Sequence, residues 1–338
     1  MKIVILAGGK SEERDVSMSS GSKVANALIR KGHQVLLLDL MGNYYSNRTF
    51  DSVYRDQKKE FYEHRIPETI VEFTPDQQEI GVNVLEICKT ADIVFLALHG
   101  GIGENGKLQA IFDTFNIKYT GSGYEASLLA MDKLLFKEII RFNDIQTADW
   151  AKVSAVEETV GISLPAVVKP IDNGSSIGVS IVENIEDLRE ATSKALAYTK
   201  SSYILIEEKI EGREFSVGIL GDTPLPVIEL KPKAGFYDYQ HKYQDNLTEE
   251  IVPAIIDDSL KNKMQELALE IHQLLGLSVC SRTDFMVDKE DRIFVIETNS
   301  LPGMTPNSLF PQEADATGIE YSELCELIVK LSMEKYVK

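Results

Sequence analysis

Cysteine is scarce in this sequence. Its three cysteines, Cys88, Cys280 and Cys325, are far apart, odd in number and without any C-x-x-C spacing. They offer neither a disulfide framework nor a cysteine-built zinc site, and they read as buried free thiols suited to a reducing cytoplasm. Basic residues are also in short supply. Lys and Arg number 35 against 53 Asp and Glu, a net charge of −18. Such an acidic surface argues against general binding to nucleic acid or anionic membrane. It leaves room for a nucleotide, which needs only a local positive pocket. No apolar run approaches the roughly 20 residues of a membrane span. The opening "MKIVILAGGK" has a short apolar run without a cleavage-site pattern, and reads as a first strand, not a signal peptide. Repeats and low-complexity tracts are missing as well.

What is present is a globular composition, 43% hydrophobic and 26% charged over 338 residues. That length is too great for one ordinary core and predicts two or three domains. A strand at Lys2 to Leu6, a Gly-rich turn, a helix in "SGSKVANALIRKG" and a strand in "HQVLLLDL" make the βαβ signature of a parallel sheet. Gly32 stops that helix. "ADIVFLALHG" is a further buried strand, "KLQAIFDTFN" a helix and "IKYTG" a short strand. Residues 44 to 80 show no clear pattern. "EASLLAMDKLLFKEIIRFND" is one strongly helical stretch. "AVVKP" and "GVSIV" form a hairpin, "IEDLREATSKALAYT" a helix and "YILIEEKI" a strand. "REFSVGILG" and "TPLPVIELK" pair, and "DDSLKNKMQELALEIHQLLG" is a helix with an Asp/Ser cap. Between these last two lies "AGFYDYQHKYQDNLTEEIVPA", long, aromatic and without period, the profile of a functional lid.

Four places carry candidate chemistry. In "RTDFMVDKEDRIFVIETNSLPGM" the period of a strand puts Glu297 and Asn299 on one face, with Asp284 across from them. Oxygen ligands of this kind suit Mg²⁺, and equally a solvated hairpin edge. "KPIDNGSSIGVS" is rich in N–H donors that can cradle phosphate beside Lys169, or is an ordinary turn. "LAGGKSEER" is not a Walker loop, because Val4 stands where its first glycine is required. It is a turn at the end of a parallel strand, where open α/β sheets bind ligands. Glu13 in that turn and His99 after another strand would face one crevice, although a lone His is commonly structural. The fourth place is the lid, with Lys242 and Tyr243. Phe236, Tyr237 and Tyr239 there read as satellite core residues.

These motifs stop being independent when taken in order. "GGKSEERDVS", "ALHGGIGENGKLQ", "YTGSG", "AMDK", "VVKPIDNGSSIGV", "ILIEEKIEGREFSVGILG", "GFYDYQHKY", "RTDFMVD" and "IETNSLPGMTPNSL" span nearly the whole chain. Together the chain resembles the D-alanine–D-alanine ligases of the ATP-grasp superfamily. The resemblance implies an α/β and α+β fold of three domains. An N-terminal parallel-sheet domain would cover residues 1–121, a central ATP-grasp subdomain 122–212, and a C-terminal subdomain 213–338 with its lid at 232–254. It implies ATP-dependent joining of two D-alanines through an acyl phosphate, for peptidoglycan synthesis in the cytoplasm, by a homodimer contacting through helices of the first domain.

The implied roles follow by residue. Lys133 and Lys169 would contact the ATP phosphates. Glu207, Glu208 and Ile210 would form the adenine hinge, and Glu214 would hold the ribose. Asp284, Glu297 and Asn299 would hold two Mg²⁺, with Mn²⁺ as a substitute. Glu13 and His99 would position the first D-alanine. Arg282 and the Gly303 N–H would stabilise the oxyanion. Ser308 and Lys242 would take the carboxylate of the second D-alanine. Glu13, Ser175 and Tyr243 would close the lid as a hydrogen-bonded triad. Two positions depart from the family pattern: Thr283 is commonly hydrophobic, and Glu208 is commonly basic. Rival readings are a resistance-type D-alanine–D-serine or D-lactate ligase and an ATP-grasp ligase for another carboxylate–amine pair. Leu309, where D-serine makers carry Arg, would leave an apolar wall suited to a methyl group.

Overall fold

A computed structural model describes residues 1–67, 73–74, 76–154, 161–174, 176–233 and 248–337. Three sheets organise them. The first is parallel, in the order β2-β1-β3, built from β1 (Lys2–Ala7), β2 (Gln34–Asp39) and β3 (Ile93–Leu96). Ile3 through Ala7 are fully buried because both faces of β1 are covered. Ile3 and Ile5 pack with Val24 and Leu28 of α1 (Arg14–Arg30). Val4 and Leu6 pack with Phe50 of α2 (Phe50–Gln57) and Ile87 of α3 (Val84–Lys89). Helix α1 lies so close to the sheet that a methyl group on Gly21 would stand 2.7 Å from the Ala7 Cβ. It begins earlier than its apolar spacing suggests, directly after Glu13, and stops at Gly32, whose φ of +86° only glycine adopts freely. Helix α2 falls in the stretch without pattern. A capping box between Thr49 and Ser52 defines its start.

After β3 come α4 (Gly101–Glu104) and α5 (Lys107–Thr114). The strand expected at "IKYTG" is a single parallel bridge, Val94 to Tyr119. The one helix expected next is two, α6 (Tyr124–Met131) and α7 (Lys133–Phe142). Asp132 divides them. Its carboxylate accepts the N–H groups of Leu134 and Leu135, both at 3.0 Å, and so caps α7. The Lys133 N–H turns to the Ile171 carbonyl at 3.0 Å, which ties α7 to the second sheet.

That sheet is antiparallel, in the order β4-β7-β5-β6: β4 (Trp150–Val153), β5 (Ala166–Pro170), β6 (Ser180–Val182) and β7 (Ile204–Glu208). Helix α8 (Ile185–Ala197) covers one face through Ala191 and Ala195. The edge strand β4 is too short and mixed to stand out in sequence. Helix α7 meets this sheet through Leu134, which packs with Leu205, but α6 and the rest of α7 turn their apolar side elsewhere. Ala126, Ala130, Phe136 and Ile140 join Phe215 and Phe285 in the core of the third sheet.

The third sheet runs β11-β10-β8-β12-β13, with β9 (Thr223–Pro224) on β8. Its members are β8 (Gly212–Leu220), β10 (Ile228–Pro232), β11 (Thr248–Ile251), β12 (Cys280–Asp288) and β13 (Ile293–Asn299). Strand β11 closes the region expected to be all lid. Its "TEEI" pairs antiparallel with β10 at the sheet edge, and a half-exposed edge strand carries no apolar period to read. Helix α9 (Asp258–Leu274) has Asp257 at its N-cap without a side-chain capping bond, contrary to expectation; Asp258 instead pairs with Lys261 at 2.6 Å. Helices α10 (Leu309–Asp315) and α11 (Tyr321–Glu334) end the chain. Leu324, Cys325 and Ile328 of α11 share a core with Val24 and Leu28, so the last helix is bound to the first sheet. All three cysteines are free and buried. Among the described residues no helix is long and apolar enough to cross a membrane.

His272 on α9 is buried, with Nδ1 2.7 Å from the Ser281 hydroxyl. Burial pushes its pKa down to about 4. The unfolded chain therefore takes up a proton at higher pH than the folded one, so stability is full above about pH 6.5 and is lost as pH falls toward 4. The shift corresponds to roughly 3 kcal/mol across that window. In thermal melts between pH 7 and 4.5, His272→Asn should lose Tm less steeply than the parent on acidification. Parallel slopes would refute this assignment.

Candidate active site

The second and third sheets face each other across a cavity of about 1260 Å³. It is large enough for a nucleotide. All six residues expected to hold ATP line it: Lys133, Lys169, Glu207, Glu208, Ile210 and Glu214. Asp284 and Glu297 line it too, as do Gly174 and Ser176 of the Gly-Ser turn. Val167, Met286 and Phe294 supply apolar wall.

The acidic hairpin has the register its period suggests. Asp284 faces Glu297, and Arg282 faces Asn299, across β12 and β13. Thr283 points to the other side, where its hydroxyl lies 3.0 Å from that of Thr298, so its departure from the family pattern leaves the site face unchanged. Asp284 is enclosed by donors. Arg282 Nε and Nη2 reach its two oxygens at 2.9 and 2.8 Å, the Ser216 hydroxyl donates at 2.7 Å and Asn299 Nδ2 at 3.2 Å. Glu297 Oε2 pairs with Lys133 Nζ at 3.2 Å, and the same ammonium donates to the Asn173 carbonyl at 2.9 Å. The break at Asp132 therefore places Lys133 where helix, turn and hairpin meet.

Deeper in the cavity wall, Lys169 Nζ lies 2.6 Å from Glu207 Oε2. Lys137, one helical turn after Lys133, approaches the other oxygen at 3.3 Å. Burial acts to raise the Glu207 pKa, but Lys169 and Lys137 outweigh it and hold the carboxylate ionised. Glu208 Oε1 accepts the Asp149 N–H at 3.2 Å, so this acid is used to join β7 to the segment before β4.

Glu13 is buried at the start of α1. Its Oε2 would be 3.1 Å from a methyl group on Gly100 and 3.0 Å from one on Gly174. It thus sits between the loop after β3 and the Gly-Ser turn. His99 is buried in the same loop, with Nε2 3.3 Å from the Ser20 hydroxyl. Burial lowers its pKa against the pull of Glu13, so the ring is neutral near pH 7. Glu104 completes this corner. The Gly100 N–H donates to it at 2.6 Å, and burial, then repulsion from Glu13, push its pKa up to about 8. A small crevice lined by Glu104, Lys133, Gly174, Glu297 and Asn299 joins the corner to the hairpin.

Gly303 and Ser308 are brought together. A methyl group on Gly303 would meet Ser308 Oγ at 2.9 Å, while Ser308 Oγ accepts the Thr305 N–H at 3.1 Å. Leu309 packs on Ile228 and Leu230 in a small apolar cluster. Ser175, Lys242 and Tyr243 lie outside the described residues, as do the lid aromatics Phe236, Tyr237 and Tyr239. Sequence reading passed over Glu104 and Lys137. The i, i+4 spacing of Lys133 and Lys137 was the available signal for the second.

The hairpin's donors fit a hard divalent cation. Two opposed carboxylates and an amide oxygen are present, and each carboxylate is already matched by a positive side chain. Among the described residues no three His, Cys, Asp or Glu gather as a cage. Mg²⁺ commonly uses one or two carboxylates and completes its shell with water and phosphate.

Comparison with known proteins gives the same answer at two levels. The family profile described as "D-ala D-ala ligase N-terminus" matches residues 2–122, and that described as "D-ala D-ala ligase C-terminus" matches 134–330. The chain belongs to the D-alanine–D-alanine ligase family. It is 43% identical to the D-alanine–D-alanine ligase of Pediococcus pentosaceus over 97% of both chains, and 36% identical to that of Aquifex aeolicus over 97% of this chain and 100% of the other. It is also similar to a crystal structure of the Bacillus anthracis ligase complexed with ATP. There the TM-score is 0.76 and the identity 30%, over 99% of this chain and 97% of that one.

Gly100 is a tight point in this corner of the fold. Its φ of +68° and ψ of −177° are open only to glycine, and a Cβ would lie 2.5 Å from Ser11 Oγ. Gly100→Ala should cost about 2 kcal/mol or more and several degrees of Tm. An unaltered melting curve would show that the loop can relieve the clash.

Proposed function

We propose that this chain joins two D-alanines to D-alanyl-D-alanine at the expense of ATP, supplying a peptidoglycan precursor. One observation carries the reading. The large cavity, the acidic hairpin and the Glu13–His99 corner open onto one another around Lys133 and Gly174, within a chain of this family.

Binding comes first. ATP occupies the cavity between the two antiparallel sheets, with adenine against β7 and the segment to Ile210, ribose at Glu214 and phosphates toward Lys169 and Lys133. Asp284, Glu297 and Asn299 would hold two Mg²⁺ ions, which would supply countercharge to the phosphate oxygens. Arg282 and Lys133 fill that role for the carboxylates in the structure described here. Arg282, on the same strand face, would serve as an oxyanion donor.

Glu13 and neutral His99 orient the first D-alanine so that its carboxylate faces the γ-phosphate. A carboxylate oxygen attacks the phosphorus, ADP leaves and an acyl phosphate forms. Ser308 and Lys242 hold the carboxylate of the second D-alanine. Its amine attacks the acyl carbon, Arg282 and the Gly303 N–H carry the oxyanion, and inorganic phosphate departs as the peptide bond closes. One such donor contributes roughly 3 kcal/mol in other acyl-transfer sites. Water would hydrolyse the acyl phosphate, so residues 232–254 close over it, fastened by Glu13, Ser175 and Tyr243. Leu309 keeps its wall apolar, which favours D-alanine over D-serine as second substrate. Residence in the cytoplasm and a homodimer complete the reading. So does a division at residues 121 and 212 into one substrate-binding domain and two ATP-grasp subdomains.

Phosphate release from ATP and Mg²⁺, measured with D-amino acids singly and in pairs, tests the proposal. D-alanine alone should support release, and its absence would sink the reading. Faster release with D-alanine plus D-serine would move the chain to the resistance-type activity. Glu297→Gln should remove most turnover while Tm stays within a few degrees; near-normal turnover would refute the metal role.

A further inference from the structure

Lys137 is a buried cation with no place in the reaction just described. It is 1% exposed and lies behind Glu207, away from the cavity. Three things fix it. It donates to the Thr147 hydroxyl at 2.7 Å, and that hydroxyl donates to the Val295 carbonyl at 2.8 Å. Its ammonium stands 5.0 Å from the centre of the Trp150 ring. Its 3.3 Å approach to Glu207 is an ion pair, not a directed hydrogen bond. Glu207 thus has one lysine on each oxygen, Lys137 from behind and Lys169 from the cavity side.

Two cations around one carboxylate leave a net positive charge facing the cavity. The arrangement also has a consequence when Lys169 moves. A lysine that turns from Glu207 to a phosphate oxygen breaks a buried ion pair, and a buried carboxylate left alone is strongly unfavourable. Lys137 removes that obstacle.

We propose that Lys137 is a positioning residue of the nucleotide site, holding the charge of Glu207 so that Lys169 can transfer to ATP phosphate. The proposal rests on the reading of Lys169 as a phosphate ligand. It gives Glu207 a side-chain function apart from any contact its strand makes with adenine: it parks Lys169 at the cavity wall until a nucleotide arrives. Burial pushes the Lys137 pKa down to about 8 against the pull of Glu207, with Lys169 and Arg141 repelling it further. Those three, with the Thr147 hydroxyl and the Trp150 ring, are the groups that face it among the described residues, from α7, β4, β5, β7 and the segment between α7 and β4.

Steady-state kinetics on the full chain test this. In Lys137→Met, KM for ATP should rise about tenfold or more, while KM for D-alanine stays within about twofold. In a Glu207→Gln background the same Lys137→Met change should raise KM for ATP far less, because an amide needs no countercharge. A lysine that only filled space would cost the same in both backgrounds. An unchanged KM for ATP in Lys137→Met, or a loss equally large in the Glu207→Gln background, overturns the proposal. Lys169→Met separates the two levels: if it leaves KM for ATP unaltered, the reading of Lys169 itself is wrong. Should Lys137→Met fail to fold, Lys137→Arg decides. The parent's kcat/KM for ATP should decline above about pH 8 as Lys137 loses its proton, whereas a guanidinium should hold it level to about pH 9.5. The same decline in both would overturn the proposal.

Discussion

Two carboxylates face each other across β12 and β13, and the surrounding structure makes that pairing tolerable. Asp284 and Glu297 are direct cross-strand partners, a placement that like charges ordinarily disfavour. Arg282 comes from the same strand face as Asp284, and Lys133 comes from the first residue of α7. The second of these depends on a helix break. Without Asp132 as a cap, α6 would run on into α7 and Lys133 would have no exit toward the hairpin. The hairpin therefore fixes where α7 must start. Through the Ile171 and Asn173 carbonyls, it also fixes where the turn of the second sheet must lie.

The same logic extends to the first sheet. Glu13 touches the Gly-Ser turn from the far side, at a place where two glycines leave room for its carboxylate. Its own position is set by α1, which lies on β1 closely enough to demand Gly21. Helix α11 completes the circuit, since it follows the hairpin in sequence but packs in the core of the first sheet. Chemistry that needs three layers in contact is held by a chain that returns to its beginning.

How much of this was legible depended on whether a residue's partner was near in sequence or predictable from period. Strands β1, β5, β7, β12 and β13 were legible because their apolar runs are short, clean and flanked by turns. The convergence of Asp284, Glu297 and Asn299 followed from the two-residue period of a hairpin. Glu13 and His99 followed from strand ends in a parallel sheet. Strand β11 and helix α2 were not legible, since one is a half-exposed edge and the other is defined by a cap rather than an apolar stripe. Lys137 was hidden for a different reason. Its meaning lies in Glu207, 70 positions along the chain, and the i, i+4 spacing from Lys133 marks the lysine without declaring that partner. The packing of α6 and α7 under the third sheet was hidden in the same way, because an amphipathic helix does not say which sheet it will cover.

The cavity has one more consequence. Its two walls belong to different sheets, and the short segment from Lys209 to Glu211 is the direct covalent link between β7 and β8. An occupant that touches both walls acts as a cross-link. By linkage, whatever free energy it gains from the two sheets being in register, it returns as resistance to their separation. The nucleotide is then a removable part of the scaffold as well as a reactant. The gap it spans behaves as a gauge, set to the size of what fills it.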